Sequence, residues 1–171
     1  QGLRTPLGDS LMLTFTQLGD VPVTLPLFCA VLLWLAWRRA WRPAAYWLAA
    51  ATFAGALTMI LKAEFGLPRP VPMYEGSIAF GFPSGHAAMG IVIFGFLAVL
   101  TVRELSFRGR IAVISMVALL AGLIAFSRIY LGAHWLSDVL GGLSFGIAWS
   151  RCSASPICVG KRSRLRHAVC W

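Results

Sequence analysis

Three short stretches of the sequence contain residue types that can bind and transfer a phosphoryl group. They are KAEFGLPRP at residues 62–70, PSGH at residues 83–86 and SRIYLGAHWLSD at residues 127–138. Guanidinium and ammonium groups suit phosphate oxygens, and the N-terminus of a helix offers unpaired backbone N–H groups to an anion. Histidine can act as a nucleophile or exchange protons near neutral pH. The three stretches therefore predict an anion site with histidine chemistry.

The candidate residues divide into phosphate ligands and catalytic groups. The predicted phosphate ligands are Lys62, Arg69, Ser84, Gly85 and Arg128, and the predicted catalytic residues are His134, His86 and Asp138. Because His134 and Asp138 are spaced i, i+4, they lie on one face of a predicted helix that His134 opens. The carboxylate can then accept a hydrogen bond from one imidazole nitrogen and leave the other to attack phosphorus. His86 is available as the general acid for the leaving oxygen.

Each candidate also has an explanation that needs no ligand. Lys62 and Arg128 stand where snorkelling residues end membrane helices, and Ser84 can simply cap a helix. Asp138 is the hardest to explain in this way, because an ionisable acid within an apolar segment is costly. The GxxxG stretch at residues 142–146 favours close helix packing over chemistry.

Apolar segments that can cross a lipid bilayer position these residues. The chain is 58% hydrophobic and 12% charged, whereas soluble domains contain about 25% charged residues. Flanking tryptophan and arginine residues extend each apolar segment to the length that a bilayer requires. The sequence therefore predicts an all-α, multi-pass transmembrane helix bundle with five spans, at Val21–Trp37, Ala44–Leu61, Ala87–Val102, Ile111–Phe126 and Trp135–Trp149.

The loops between these spans predict the orientation of the protein. Most of the 15 basic residues lie on one side, in three groups: Arg38, Arg39 and Arg42; Arg103, Arg108 and Arg110; and Arg151, Lys161, Arg162, Arg164 and Arg166. Basic loops stay in the cytoplasm, so the three motifs are predicted to face outward. We interpret the chain as a protein of a bacterial cytoplasmic membrane. Five spans place the N-terminus outside. Since no signal peptide is visible, we expect an upstream segment to be missing.

The domain organisation, net charge and carboxylate content of the chain limit the functions it can have. Residues 1–150 are predicted to form one membrane domain, and residues 151–171 a basic, disordered cytoplasmic tail. The net charge of +9 does not predict nucleic-acid binding, because no basic stripe alternates with aromatic residues. The outer face has no cluster of carboxylates, so no metal is predicted. The sequence does not indicate an oligomeric state.

In these three motifs the chain resembles the type 2 phosphatidic acid phosphatase superfamily, membrane lipid phosphatases related to vanadium-dependent haloperoxidases. The family pattern Lys-x6-Arg-Pro is matched at residues 62–70, Pro-Ser-Gly-His at residues 83–86 and Ser-Arg-x5-His-x3-Asp at residues 127–138. The family usually has six spans, and the first is not among the five predicted here. The tail after Trp149 matches no part of the pattern.

The resemblance implies a lipid phosphatase that needs no cofactor or metal and acts on a lipid phosphate or diphosphate at the outer face. It implies that His134 forms a phosphohistidine while His86 protonates the departing group. The candidate substrates are an isoprenoid diphosphate, phosphatidylglycerol phosphate, phosphatidic acid and a lipid A phosphate. Two alternatives stay open: a lipid phosphotransferase, and a non-catalytic protein that binds or transports a lipid phosphate.

Overall fold

The computed structural model describes residues 4–71, 80–102 and 104–159, with side chains up to residue 148. These residues form helices and connecting turns, and no strand occurs among them. The six helices are α1 Pro6–Leu18, α2 Val21–Trp37, α3 Trp41–Phe65, α4 Gly85–Val102, α5 Phe107–Tyr130 and α6 Leu136–Val159.

Local sequence signals set the ends of several helices. α1 begins at Pro6 after Thr5, whose side chain accepts a hydrogen bond from the Gly8 N–H. Asp20 caps α2 in the same way by accepting from the N–H of Val21 at 2.8 Å. Such side chains satisfy backbone donors that a first helical turn leaves unpaired. α3 ends at Gly66, which adopts a left-handed conformation with φ of 56° that costs glycine little.

The core lies between α2, α3 and α4 and is built around Trp47. This side chain is fully buried. Its ring lies 5.4 Å from that of Phe28 and 4.8 Å from that of Phe96, and its indole N–H donates to the Phe28 carbonyl at 3.0 Å. Because the indole N–H has a partner, this large ring can be buried without leaving a donor unsatisfied. These contacts fix α3 against its two neighbours.

The glycines of the GxxxG stretch allow α6 to approach α4 closely. A Cβ atom added to Gly142 would lie 2.5 Å from the Ser84 carbonyl oxygen, and one added to Gly146 would lie 2.9 Å from that of Ala88. The predicted packing role of this stretch is confirmed. This close approach also positions the site, because α4 and α6 both begin at the end of the bundle where the motifs lie.

Gly142→Ala is expected to destabilise the protein by about 1–3 kcal/mol, the usual cost of overpacking, because a backbone carbonyl must move to admit the methyl group. Gly122→Ala is the matched control, since a Cβ atom there meets nothing within 4 Å. Thermal unfolding of both variants in detergent would test this, with Gly122→Ala as stable as the parent or slightly more stable. Equal midpoints for the two variants would contradict the packing account.

The five predicted spans correspond to α2–α6, and the predicted helical bundle is confirmed. Four stretches are long and apolar enough to cross a membrane: Pro6–Trp37 (covering α1 and α2), Trp41–Phe65, Gly85–Val102 and Phe107–Tyr130. In α6 the apolar part, Leu136–Ala148, is shorter. The protein is therefore an integral membrane protein with several apolar helices.

Two features differ from the sequence prediction. α1 was not predicted, although Thr5-Pro6 is a helix start signal and Gly19 follows the helix end. The fifth predicted span ends at Trp149, whereas α6 continues to Val159; the division of the chain at residue 150 stays a prediction. Residues 160–171 lie outside the described part of the chain, so the cytoplasmic location and disorder of the tail stay predictions.

Candidate active site

All eight predicted site residues lie at one end of the helix bundle. Lys62 lies in the last turn of α3, Gly85 and His86 begin α4, and Arg128 lies near the end of α5. Arg69, Ser84 and His134 belong to the connections between these helices, and Asp138 lies in the first turn of α6. The site therefore depends on four helix ends that the chain brings together from separate parts of the sequence.

His134 and Asp138 form a buried pair. Asp138 Oδ2 lies 3.3 Å from His134 Nδ1 and also accepts from the backbone N–H of Trp135 at 3.0 Å. The prediction that His134 opens a helix is wrong, because α6 begins at Leu136. The pair forms instead because the Asp138 carboxylate turns back over the start of α6, as a capping residue does. It thereby orients the imidazole with Nδ1 toward the carboxylate.

Arg69 lies on the other side of the His134 ring. Its Nη1 is 3.1 Å from His134 Nε2 and donates to the carbonyl of Ala133 at 3.2 Å. Burial, followed by the nearby guanidinium groups of Arg69 and Arg128, lowers the pKa of His134 below its ordinary value of 6.5. A neutral ring with its proton on Nδ1 fits both neighbours, since Nε2 then presents a lone pair toward Arg69. This is the protonation state that a nucleophile requires.

Lys62 is a buried cation that holds the segment before α4 through two hydrogen bonds. Only 4% of the residue is exposed, and its ammonium donates to the carbonyls of Phe80 and Gly81 at 2.6 and 3.3 Å. Gly81 also lies against the catalytic pair, because a Cβ atom there would be 2.7 Å from Asp138 Oδ2. Lys62 thus brings a positive charge to the site and holds the segment that leads into α4.

Ser84 and Gly85 occupy the start of α4 but differ in what they present. The backbone N–H of Ser84 donates to the Asp138 carbonyl at 2.9 Å, so this amide is engaged within the protein and does not face a phosphate as expected. The Ser84 hydroxyl is buried and has no hydrogen-bond partner among the described residues. Gly85 lines the cavity described below. Ser84 itself is fully buried and does not line that cavity, so Gly85 is the residue of the two that reaches it.

A cavity of about 350 Å³ joins most of these groups. Its lining includes Lys62, Arg69, Gly85, His86, Arg128 and His134. Its lining also includes apolar and small residues, among them Gly55, Met59 and Met89. A space that combines three cations, two histidines and an apolar flank can accept a phosphate group attached to an apolar chain.

Several cavity or supporting residues were not predicted as site residues. The Thr16 hydroxyl accepts from Arg128 Nη1 at 2.7 Å, Asp20 lies 3.6 Å from His86 Nε2, and the buried Thr58 hydroxyl lines the cavity. The signal for Asp20 is visible in hindsight, since Gly19-Asp20 interrupts the apolar sequence between α1 and α2. Thr58 precedes Lys62 by four residues and so shares its helix face. Nothing in the sequence marks Thr16.

The described residues contain no group of three or more histidine, cysteine, aspartate or glutamate side chains that could hold a metal ion. The positive charge at the site comes from side chains instead, namely those of Lys62, Arg69 and Arg128.

Comparison with known proteins relates this arrangement to one family. The family model described as the PAP2 superfamily matches residues 43–156. Phosphatidylglycerophosphatase B of Bacillus subtilis is 32% identical over 152 residues, which cover 85% of this chain and 73% of that protein. Lipid A 1-phosphatase of Rhizobium etli is 32% identical over 127 residues, covering 63% of this chain and 51% of that protein.

A solved structure shares the fold as well. The crystal structure of a transmembrane PAP2-type phosphatidylglycerolphosphate phosphatase from Bacillus subtilis superposes with a TM-score of 0.83 at 29% identity. The match covers 95% of this chain and 82% of that one. The helical arrangement around the site is thus similar to that of a membrane phosphatase.

Proposed function

The chain belongs to the PAP2 superfamily, and on that premise we propose that it is a membrane lipid phosphatase. It hydrolyses the phosphomonoester or diphosphate of a lipid through a phosphohistidine intermediate. The observation that carries the proposal is the buried His134–Asp138 pair, which lies at a cavity lined by three cationic side chains. An oriented neutral imidazole beside clustered positive charge is suited to attack on phosphorus.

In the first step, His134 Nε2 attacks phosphorus, so that a P–N bond forms as the bond to the leaving oxygen breaks. Asp138 keeps the proton on Nδ1 and stabilises the positive charge that the ring gains. Arg69, now 3.1 Å from Nε2, exchanges this contact for the phosphate oxygens. His86 gives its proton to the departing alcohol or phosphate.

In the second step, water attacks the phosphohistidine, and the P–N bond breaks to release inorganic phosphate. His86, deprotonated by the first step, takes a proton from this water and so returns to its starting form. Lys62, Arg69 and Arg128 balance the negative charge on the equatorial oxygens in both steps. They supply the positive charge that a metal ion provides in other phosphatases, and for this reason we propose a metal-independent reaction.

The substrate class follows from the apolar flank of the cavity and from the relatives. Phosphatidylglycerol phosphate and a lipid A phosphate are the substrates that the names of the relatives suggest. Phosphatidic acid and isoprenoid diphosphates present the same chemistry, a phosphate group on an apolar chain, and belong in the same test.

The site is proposed to face away from the cytoplasm of a bacterial cell. The opposite end of the bundle holds basic residues in and beside the connections between α2 and α3 and between α4 and α5: Arg38 and Arg39, Arg42 at the start of α3, and Arg108 and Arg110 at the start of α5. Basic connections favour the cytoplasmic side of a membrane. The lipid headgroup would then reach the site from the outer leaflet.

The purified protein in detergent is expected to release inorganic phosphate from at least one of four lipids: phosphatidylglycerol phosphate, phosphatidic acid, undecaprenyl diphosphate and lipid A. Initial rates would be measured in EDTA and again with added Mg²⁺. Rates that agree within about twofold would support the metal-independent reaction, since side chains carry the charge. Loss of activity in EDTA would contradict it.

The same assay separates hydrolysis from transfer. Free phosphate equal to the lipid consumed supports the phosphatase, whereas a phosphorylated acceptor in place of free phosphate would identify a phosphotransferase. Lack of turnover by protein that unfolds cooperatively on heating would overturn the enzymatic proposal and favour a protein that only binds the lipid phosphate.

A further inference from the structure

The turn between α1 and α2 lies against the active site although it belongs to none of the three motifs. This turn consists of Gly19 and Asp20. A Cβ atom added to Gly19 would lie 2.7 Å from Ile124 Cγ2 and 3.4 Å from the His86 carbonyl oxygen. The absence of a side chain at Gly19 therefore lets the turn approach α4 and α5 closely.

Asp20 is the acidic side chain that this turn directs toward His86. Its Oδ1 lies 3.6 Å from His86 Nε2, and the Asp20 side chain is 48% exposed whereas that of His86 is 19% exposed. The distance is too long for a hydrogen bond in this state. Catalytic contacts of this kind often tighten when substrate binds. Asp20 thus lies beside a mostly buried imidazole while its own side chain is partly exposed.

The charges around His86 make this carboxylate important. Positive groups face His86 from three elements: Arg128 on α5, Lys62 on α3 and Arg69 in the connection after α3. His134, the other titratable group that interacts with it, is neutral in the mechanism above. Asp20 adds a negative charge 3.6 Å from the same ring.

We propose that Asp20 is a positioning residue that orients His86 and stabilises its protonated form. The inference rests on the proposed function, in which His86 must carry a proton to the leaving oxygen. Asp20 forms no bond to the substrate and keeps its negative charge throughout. Without it, the cations that bind the phosphate would also deprive the general acid of its proton.

The test replaces Asp20 with asparagine. Asn is as good a helix cap as Asp, so Asp20→Asn keeps the acceptor for the Val21 N–H and removes the charge alone. Asp9→Asn is the matched control. Asp9 is the other aspartate of this region, and it pairs with Arg4 away from the site. Asp9→Asn therefore makes the same change in net charge as Asp20→Asn. Asp20→Glu tests whether a carboxylate on a longer side chain retains the activity that Asp20→Asn loses.

The first readout is the pH profile of phosphate release from the lipid that the parent hydrolyses fastest. Loss of the general acid makes the rate fall at alkaline pH. In Asp20→Asn this fall should begin about one pH unit lower, and the rate at the optimum should drop about 10–100-fold, a part of the usual contribution of general acid catalysis. Asp9→Asn should match the parent and Asp20→Glu should recover most of the rate. A parental profile in Asp20→Asn would overturn the proposal, as would a uniform loss of rate at every pH.

The second readout does not depend on turnover and so separates this proposal from the proposed function. The chain has three histidines, and ring-labelled [¹⁵N]histidine gives a signal for each, with His86 assigned by its loss in His86→Asn. The His86 signal should titrate at lower pH in Asp20→Asn than in the parent and in Asp9→Asn. An unchanged titration would overturn the role of Asp20. A parent that releases no phosphate would instead overturn the proposed function, whatever the titration shows.

Discussion

His134→Ala is expected to abolish phosphate release, lowering kcat by about 10⁴-fold or more, as loss of a nucleophile does in enzymes with a covalent intermediate. The other polar side chains that line the cavity among the described residues are the three cations, the hydroxyls of Thr24 and Thr58, the Asp20 carboxylate and His86, which the proposed mechanism uses as the acid. Initial rates of phosphate release by the parent and the variant would measure the effect. The cavity itself should persist, because alanine only shortens a side chain.

The intermediate can be observed in the same experiment. Parent protein quenched in alkali after a brief reaction with ³²P-labelled substrate should carry a label that acid removes, as a phosphohistidine does, and His134→Ala should carry none. His167→Ala is the control, since it changes the remaining histidine outside the three motifs and should behave as the parent does. Label on His134→Ala, or a rate within tenfold of the parent, would show that another residue is the nucleophile.

Asp138→Asn is expected to lower kcat by about 10²–10⁴-fold, the range seen when a carboxylate that orients a catalytic histidine becomes an amide. Asp138 is 1% exposed and accepts from both the His134 ring and the Trp135 N–H. The same oxygen, Oδ2, faces both donors. An amide oxygen placed there keeps both contacts but brings no negative charge to stabilise the imidazolium that forms during attack, and an NH₂ group placed there would instead favour the tautomer with a proton on Nε2, the attacking atom. The loss should therefore appear in kcat, with a small effect on KM.

Steady-state kinetics with thermal unfolding in parallel would test this prediction. The thermal midpoint should change little, because asparagine has nearly the same size and keeps the contact to Trp135. A loss of activity that merely follows a loss of folded protein would contradict a direct effect on the His134 ring. So would full recovery at high pH, since removing protons restores neither the negative charge of the carboxylate nor the original tautomer.

The proposed catalytic pair, His134 and Asp138, shares contacts with the proposed phosphate-binding residues. The Asp138 backbone carbonyl accepts from the Ser84 N–H, while its carboxylate packs against Gly81. Lys62 in turn holds Gly81 from α3. A single aspartate thus positions both the nucleophile and the start of α4, so substitutions at Asp138 test more than one contact and call for the stability control.

The sequence alone determined the class of fold and predicted the main candidate site residues. Apolar length decides which segments cross a bilayer, because a membrane helix must satisfy its backbone hydrogen bonds within itself. This information is local, so α2–α6 could be predicted together with their shared end. The three motifs name residues such as Lys62, His86 and His134 directly, and the packing role of Gly142 follows from its spacing to Gly146. Their catalytic roles remain predictions until the variants are measured.

Only the tertiary structure decided how these residues meet. The contact between Asp20 and His86 joins residues that are far apart in sequence, as does the one between Thr16 and Arg128. No periodicity or spacing encodes such pairs, because they depend on how α1 and α2 pack against α4 and α5. The same holds for the Ser84 amide, which a local pattern assigns to an anion and the fold assigns to the Asp138 carbonyl. Local sequence sets which groups a helix end offers, and long-range packing sets which partner each group finds.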